Sequence, residues 1–281
     1  MNKFSVPDLL AADARAIYDS APGTCTGGIL DADCCSWYHG AWPLLRVLGM
    51  VSNPYWHYAF VACHCRPRVN QKSLVLATAD SSFPMLLSSF GFEAIDIVDA
   101  CATPLELCNM TNGRLGTSWN TFKGDALNLA DPRLQQGYGV VVNDAFLTRF
   151  ADDEKVKVLE SVRDKLNEGG VYISTARISD NSALSGGQDG YQSDLSRKAW
   201  FVERAVARFV EVGGIPGFSL DEVEPIAERY MRAMISYRFS SVEHLTEVIE
   251  NSGMKIIDSE VAITVGESEE SPYVRFACTP T

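Results

Sequence analysis

The sequence predicts an α/β fold: a mostly parallel sheet finished by an antiparallel C-terminal strand. A helical, aromatic-rich N-terminal segment (residues 1–70) precedes a sheet domain (71–281), which carries a helical insert (186–238). Three observations predict this. Short continuous apolar runs alternate with amphipathic stretches from Lys72 to Arg177, the rhythm of doubly covered strands joined by helices. Acids stand at or just past three successive strand ends, at Asp99, Asp125 and Asp144. The chain closes on two apolar stretches separated by an acidic turn, which reads as an antiparallel pair.

Taken in order, Leu9–Ser20 is an amphipathic helix after Pro7-Asp8, and a Gly/Cys/Asp-rich loop follows from Ala21 to Cys35. Trp37, Tyr38, Trp42, Tyr55, Trp56, Tyr58 and Phe60 then crowd into a short span. Trp42, Leu45, Leu48 and Gly49 share one helical face, and Tyr55–Cys65 forms a further helix before Pro67. Most of these aromatics read as core packing. One or two read as pocket lining, because an aromatic face suits a cation. His39 and His57 are open to the same two readings.

Lys72 to Asp99 is the stretch on which the rest is organised. Ser73–Leu76 is a buried strand, and Ala77-Thr78-Ala79-Asp80-Ser81-Ser82 is the small, polar turn leaving it. Pro84 to Phe90 keeps helical spacing, with Pro84 early enough for a first turn and Gly91 as the stop. A second strand, Ala94–Val98, ends on Asp99. This βαβ unit has the layout of a nucleotide-type site, with close backbone approach at the turn and a carboxylate for ribose hydroxyls about 20 residues on. Ala77 and Ala79 stand where glycines usually make such a turn.

Thr103, followed by Pro104, can cap a helix running to about Asn112. Trp119–Lys123 is a third strand, leading to Gly124-Asp125-Ala126. Gly139–Asn143 is a fourth, leading to Asp144-Ala145-Phe146. Asp152–Leu166 is an amphipathic helix, Asn167–Gly170 stops it, and Val171–Ala176 is a fifth strand with Arg177 just beyond. In the insert, a Gly186-Gly187 loop precedes helices Ser193–Val212 and Leu220–Ile235, the second opened by Ser219. Ser240 or Ser241 caps a helix ending at Gly253. Strands Lys255–Thr264 and Tyr273–Thr279 follow, joined by a turn holding Glu267, Glu269 and Glu270.

Composition narrows the function classes. The 281 residues, 46% apolar and 21% charged, suit a soluble globular protein with one large core. No apolar run approaches the roughly 18 residues of a membrane span. Asp8 and Asp13 interrupt the opening apolar segment, so it is not a signal peptide and a cytoplasmic protein is expected. A net charge of −12 argues against a nucleic-acid partner and favours a small-molecule substrate. The eight cysteines show no disulfide framework. His57 and Cys63-His64-Cys65 lack a second ligand pair at zinc spacing, so no metal is expected.

The ordered run Asp99…Asp125…Asp144…Gly169-Gly170, spanning about residues 70–178 and resuming at 240–263, resembles the class I, Rossmann-like, S-adenosylmethionine (SAM)-dependent methyltransferases. The resemblance implies SAM as cofactor. It implies that Ala77, Ala79 and Asp80 lie at the methionine part, Asp99 at the ribose, and Asp125 with Ala126 at the adenine. Asn143 and Phe146 would face the methyl group, with Thr103 also counted among the cofactor-binding residues. It implies methyl transfer to an O or N of a small biosynthetic metabolite. The insert then covers the site and shapes the acceptor pocket, or serves as scaffold or a homodimer face. As catalytic residues we consider Asp144 (a base, or a carboxylate fixing backbone amides), His39, and Arg177, which either holds an acceptor carboxylate or bridges to the sheet's own acids. Two alternatives share the fold. One is a SAM-consuming cyclase of the azetidine-2-carboxylate synthase type, releasing methylthioadenosine; the other is a catalytically silent SAM-fold partner protein. A nicotinamide dehydrogenase lacks its G-x-G-x-x-G fingerprint here.

Overall fold

The computed structural model describes residues 6–24, 37–134, 137–179, 191–192, 195–263 and 272–281. The Ala21–Cys35 loop past Thr24, the Gly186-Gly187 loop and the turn with Glu267, Glu269 and Glu270 lie outside the described residues. The strands are β1 (Ser73–Leu76), β2 (Ile95–Asp99), β3 (Trp119–Lys123), β4 (Tyr138–Val142), β5 (Leu166–Arg177), β6 (Tyr191–Gln192), β7 (Ile235–Ser236), β8 (Met254–Ile263) and β9 (Pro272–Pro280). The helices are α1 (Val6–Thr24), α2 (Trp42–Val47), α3 (Tyr58–Cys65), α4 (Ser82–Phe90), α5 (Ala102–Leu115), α6 (Asp152–Arg163), α7 (Leu195–Glu211), α8 (Leu220–Ala233) and α9 (Val242–Asn251).

Seven strands form one sheet in the order β3-β2-β1-β4-β5-β9-β8, and β6 pairs with β7 apart from it. β1 to β5 are parallel, while β9 runs antiparallel between β5 and β8. The order reverses between β1 and β4. At such a switch point the loops leaving neighbouring strands diverge and open a crevice at the carboxyl edge. That crevice is where the turn after β1 and Asp99 both lie.

Period-two alternation assigns β1 to two cores. Leu74 and Leu76 join Val158, Leu159 and Val162 of α6 and Leu245, Val248 and Ile249 of α9. Val75 joins Leu86 and Leu87 of α4, Leu105 and Cys108 of α5, and Phe60 and Val61 of α3. A third core joins the N-terminal segment to the insert: Trp42, Leu44, Leu45 and Leu48 pack with Phe201, Phe209, Val223 and Tyr230. It includes Ala79, so it sits over the carboxyl edge of the sheet.

Three expectations change. Gly169-Gly170 does not separate helix from strand. α6 ends at Arg163, and β5 already pairs with Tyr138 at Leu166 before re-registering at Val140↔Val171. Gly169, at φ 76°, and Gly170, whose added Cβ would lie 2.8 Å from the Tyr138 carbonyl, make this bulge. Thr103 is not a cap. Extended Cys101 (φ −103°, ψ 140°) holds that position, and Thr103 is the second helical residue, fully buried. Cys101 is also disulfide-bonded, which the cysteine spacing does not announce, whereas Cys63, Cys65, Cys108 and Cys278 are free. Among the described residues, no helix is long and apolar enough to cross a membrane, and no cluster of His, Cys, Asp or Glu could hold a metal. His64 instead pairs with Asp258 at 2.9 Å.

Candidate functional site

The turn after β1 is built from residues in unusual conformations. Ala77 and Ala79 have φ of 48° and 53°, the left-handed region that glycine occupies without strain. Their methyl groups are the smallest side chains that leave the backbone open to close approach. The Ala77 amide donates to the Val98 carbonyl at 2.8 Å, which carries the parallel ladder one step past β1 and fixes where the turn begins.

A chamber of about 270 Å³ opens above this turn. Ala77 and Ala79, Val98 and Asp99, and Gly124 to Leu127 line its floor; Phe146, Arg149, Phe150, Tyr38 and His39 close it. Asp99 accepts the Cys101 amide at 2.8 Å. Burial nevertheless dominates, and it pushes the carboxyl up to about 7 against the lowering by the Cys101 and Ala79 amides. Asp125 accepts the Leu127 amide at 2.9 Å, which holds its loop on the same edge. Burial, aided by Arg149, pushes the His39 imidazole down to about 3, so it is neutral near pH 7 and a feeble base. Its Nδ1 is buried with no partner.

A second, smaller chamber of about 80 Å³ adjoins the first and shares Tyr38 and Arg149 with it. Its walls come from Trp42, Met50 to Ser52, Ala145, Arg177 and Tyr273, and from Phe201, Tyr230 and Arg238 beyond β5. Tyr38 stacks on Tyr230 with centroids 5.9 Å apart, and Tyr230 stacks on Phe201 at 5.7 Å. The Arg149 guanidinium lies 5.0 Å from the Tyr38 ring centre. The aromatic N-terminal segment and the insert therefore meet directly over the sheet edge.

No family model matches the chain, and no curated protein matches it in sequence. Solved structures do match in shape. A glycopeptide N-methyltransferase, MtfA, complexed with S-adenosyl-L-homocysteine, superposes with a TM-score of 0.55 at 13% identity, covering 83% of this chain and 92% of that one. An S-adenosylmethionine-dependent methyltransferase from Clostridium acetobutylicum gives 0.54 at 13% identity, over 86% and 96% of the two chains. The CcbJ methyltransferase from Streptomyces caelestis gives 0.52 at 13%, over 83% and 91%. The chain has the class I methyltransferase fold. In open α/β sheets ligands bind at the carboxyl edge beside the switch point, and that is where both chambers lie.

Within this methyltransferase fold, the sequence-selected residues divide. Ala77, Ala79, Asp99, Asp125, Ala126, Phe146 and His39 come together around the first chamber. Arg177 lines the second, its Nε donating to the Tyr273 hydroxyl at 2.6 Å. Asp80 faces neither chamber. Fully buried, it accepts from Arg46 Nε at 2.8 Å, Trp42 Nε1 at 3.0 Å and the Ser82 amide at 2.8 Å, so it anchors the N-terminal segment to the turn. Asn143 is tied to Tyr172 and Ser174, and Thr103 lines neither chamber. Asp144 is turned away as well: Ser52 Oγ donates to both its oxygens at 2.9 Å, and Thr175 Oγ1 donates at 2.8 Å. It lines neither chamber and adjoins the second one through Ser52.

Three residues that matter are not among the candidate site residues the sequence suggests. Arg46, buried, lies between Asp80 and Asp144, 2.8 Å and 3.7 Å away. Tyr38 appears there only as one aromatic among seven. Arg149, one residue before Phe150 in a 3-10 turn, joins the two chambers. A buried arginine on an apolar helix is a signal for Arg46; Arg149 had no local signal.

Proposed function

We propose that the chain is a SAM-dependent methyltransferase acting on an O or N of a small biosynthetic metabolite, with cofactor in the first chamber and acceptor in the second. One observation carries this reading: two adjoining chambers share only Tyr38 and Arg149, and the larger holds Asp99 and the two left-handed alanines. The lining fits the adenosyl cofactor. Asp99 offers a carboxylate to a ribose diol, Val98, Leu127, Phe146 and Phe150 offer an apolar slot to a flat base, and the unpartnered His39 Nδ1 awaits a polar group.

When bound, SAM supplies a methyl group already activated by its sulfonium. The chain's own residues then position and enclose. Tyr38 presents its ring where the chambers meet, and an aromatic face at that point stabilises a neighbouring cation. The Tyr38–Tyr230–Phe201 stack excludes water, and orientation of the two partners accounts for most of the rate gain. His39, neutral near pH 7, hydrogen-bonds rather than removing protons.

The neighbours named above are methyltransferases, and none is a cyclase, so the cyclase reading gains no support. Mass spectrometry of the pure protein with SAM tests the proposal. S-adenosylhomocysteine formed only when an acceptor is added supports methyl transfer. Methylthioadenosine without an acceptor would contradict it.

A further inference from the structure

Two short hydroxyl side chains on the wall of the second chamber, Ser52 and Thr148, already have their protons committed. Ser52 Oγ donates to both Asp144 oxygens at 2.9 Å, and Thr148 Oγ1 donates to the Ala145 carbonyl at 2.7 Å. A hydroxyl carries one proton and two lone pairs, so these oxygens have only lone pairs left to offer. The Tyr273 hydroxyl, bonded by Arg177 Nε at 2.6 Å, also lies against Ser52 and can engage one of its lone pairs; the other remains.

The surroundings hold this polarity in place. An ionised Asp144 can only accept, and it is fixed from a second side by Thr175 Oγ1, which donates to it at 2.8 Å. Thr175 in turn accepts the Ala145 amide at 2.9 Å, and Ala145, on the chamber wall, sits at φ 52°. Left-handed backbone costs an L residue energy, and it persists where the surroundings over-determine it. Ser52 is only 4% exposed, so solvent does not compete for its proton. A hydroxyl that donates to a carboxylate is polarised into a stronger acceptor. An ionised oxygen placed against Ser52 would meet lone pairs backed by the Asp144 charge, whereas a hydroxyl or amino hydrogen would meet a partner. Tyr38, Trp42, Phe201 and Tyr230 supply flat apolar surface in the same chamber.

We propose that Ser52 selects the ligand of the second chamber: an aromatic compound with an un-ionised hydroxyl or amino group, whose hydrogen Ser52 Oγ receives while Asp144 holds Ser52 in that role. Calling this ligand the methyl acceptor rests on the functional reading above; the hydrogen-bond preference itself does not. For an acceptor the consequence is orientation. A hydroxyl held by its hydrogen keeps its own lone pairs clear for bond formation.

The test is fluorine-NMR titration of the full chain, with and without saturating S-adenosylhomocysteine, using 4-fluorophenol, its size match 4-fluorotoluene, and 4-fluorobenzoate. The phenol is expected to bind at least about fivefold more tightly than the toluene, and the benzoate more weakly than the phenol. Ser52→Ala should bring the phenol down to the level of the toluene. Affinities for the toluene and for S-adenosylhomocysteine should stay within about twofold of wild type, since Ser52 lines only the second chamber. Ser52→Thr, which keeps the hydroxyl, should keep the preference. Asp144→Asn, whose amide can itself donate to Ser52, should shrink the phenol-to-toluene ratio, which a mere packing defect would leave alone. Where a variant does not fold, the wild-type ratio decides. Equal binding of phenol and toluene, tightest binding of the benzoate, an undiminished ratio in folded Ser52→Ala or Asp144→Asn, or no saturable binding of any probe at millimolar concentration would overturn the proposal. If S-adenosylhomocysteine fails to bind while the Ser52-dependent preference stands, the functional reading falls and the selection by Ser52 survives. If S-adenosylhomocysteine binds and no such preference appears, the reverse holds.

Discussion

Asp99 shows how a single residue can trade stability for binding. Its carboxyl is pushed up to about 7 by burial, above its unfolded value near 4. An acid raised in the folded state contributes most below its unfolded value, and that contribution is lost as pH rises through about 7. Asp99→Asn should therefore raise the melting temperature of the ligand-free protein at pH 8, and leave it nearly unchanged at pH 4. Cofactor binding runs the opposite way, since ribose hydroxyls donate best to the ionised group. S-adenosylhomocysteine affinity should fall as pH drops below about 7, and calorimetry across that range checks it. Ala77 makes a second prediction. Its φ of 48° costs an L residue about 1 kcal/mol, so Ala77→Gly should stabilise the fold by about that much in urea denaturation. Arg46 makes a third. Arg46→Met strands two buried carboxylates and should cost about 3–5 kcal/mol by the same measurement. Of these residues, Asp99 and the alanines were legible because a strand end and the turn after it are local in sequence. Arg46 was not, because both its acids lie far along the chain.

Among the elements, the parallel strands were the most legible, since four or five apolar residues bounded by small or acidic ones admit few other readings. Helix ends followed their caps: Gly91 closes α4 at φ 104°, and Ser241 accepts the His244 amide at 3.1 Å. Gly169-Gly170 misled because the same dipeptide suits a helix stop and a strand bulge, and only pairing with β4 decides between them. The aromatic N-terminal segment was read as mostly core, which holds for Trp37 and Phe60, with Tyr38 and Trp42 on the second chamber. The structure brings the insert against it through α8. Tyr230, 3% exposed, packs between Tyr38 and Phe201, so Tyr230→Ala should cost about 3–5 kcal/mol on urea denaturation. It should also weaken acceptor binding more than S-adenosylhomocysteine binding, because Tyr230 lines only the second chamber.

At the scale of the whole molecule, the strand order β3-β2-β1-β4-β5-β9-β8 places Asp99 and Asp125 beside one switch point, although 25 residues separate them in sequence. The rhythm of strands and helices announced that sheet, and the ordered acids announced its working edge. The division of the crevice into two chambers was not announced, because Tyr38 and Arg149 reach it from segments with no motif of their own. The central claim is that the larger chamber binds an adenosyl cofactor through Asp99. Calorimetric titration of S-adenosylhomocysteine at pH 8 into the wild-type protein and Asp99→Ala tests this most directly. We expect one site per chain, weakened at least about tenfold in a folded Asp99→Ala variant. No binding to the wild type, or equal affinity in the two proteins, would contradict the account.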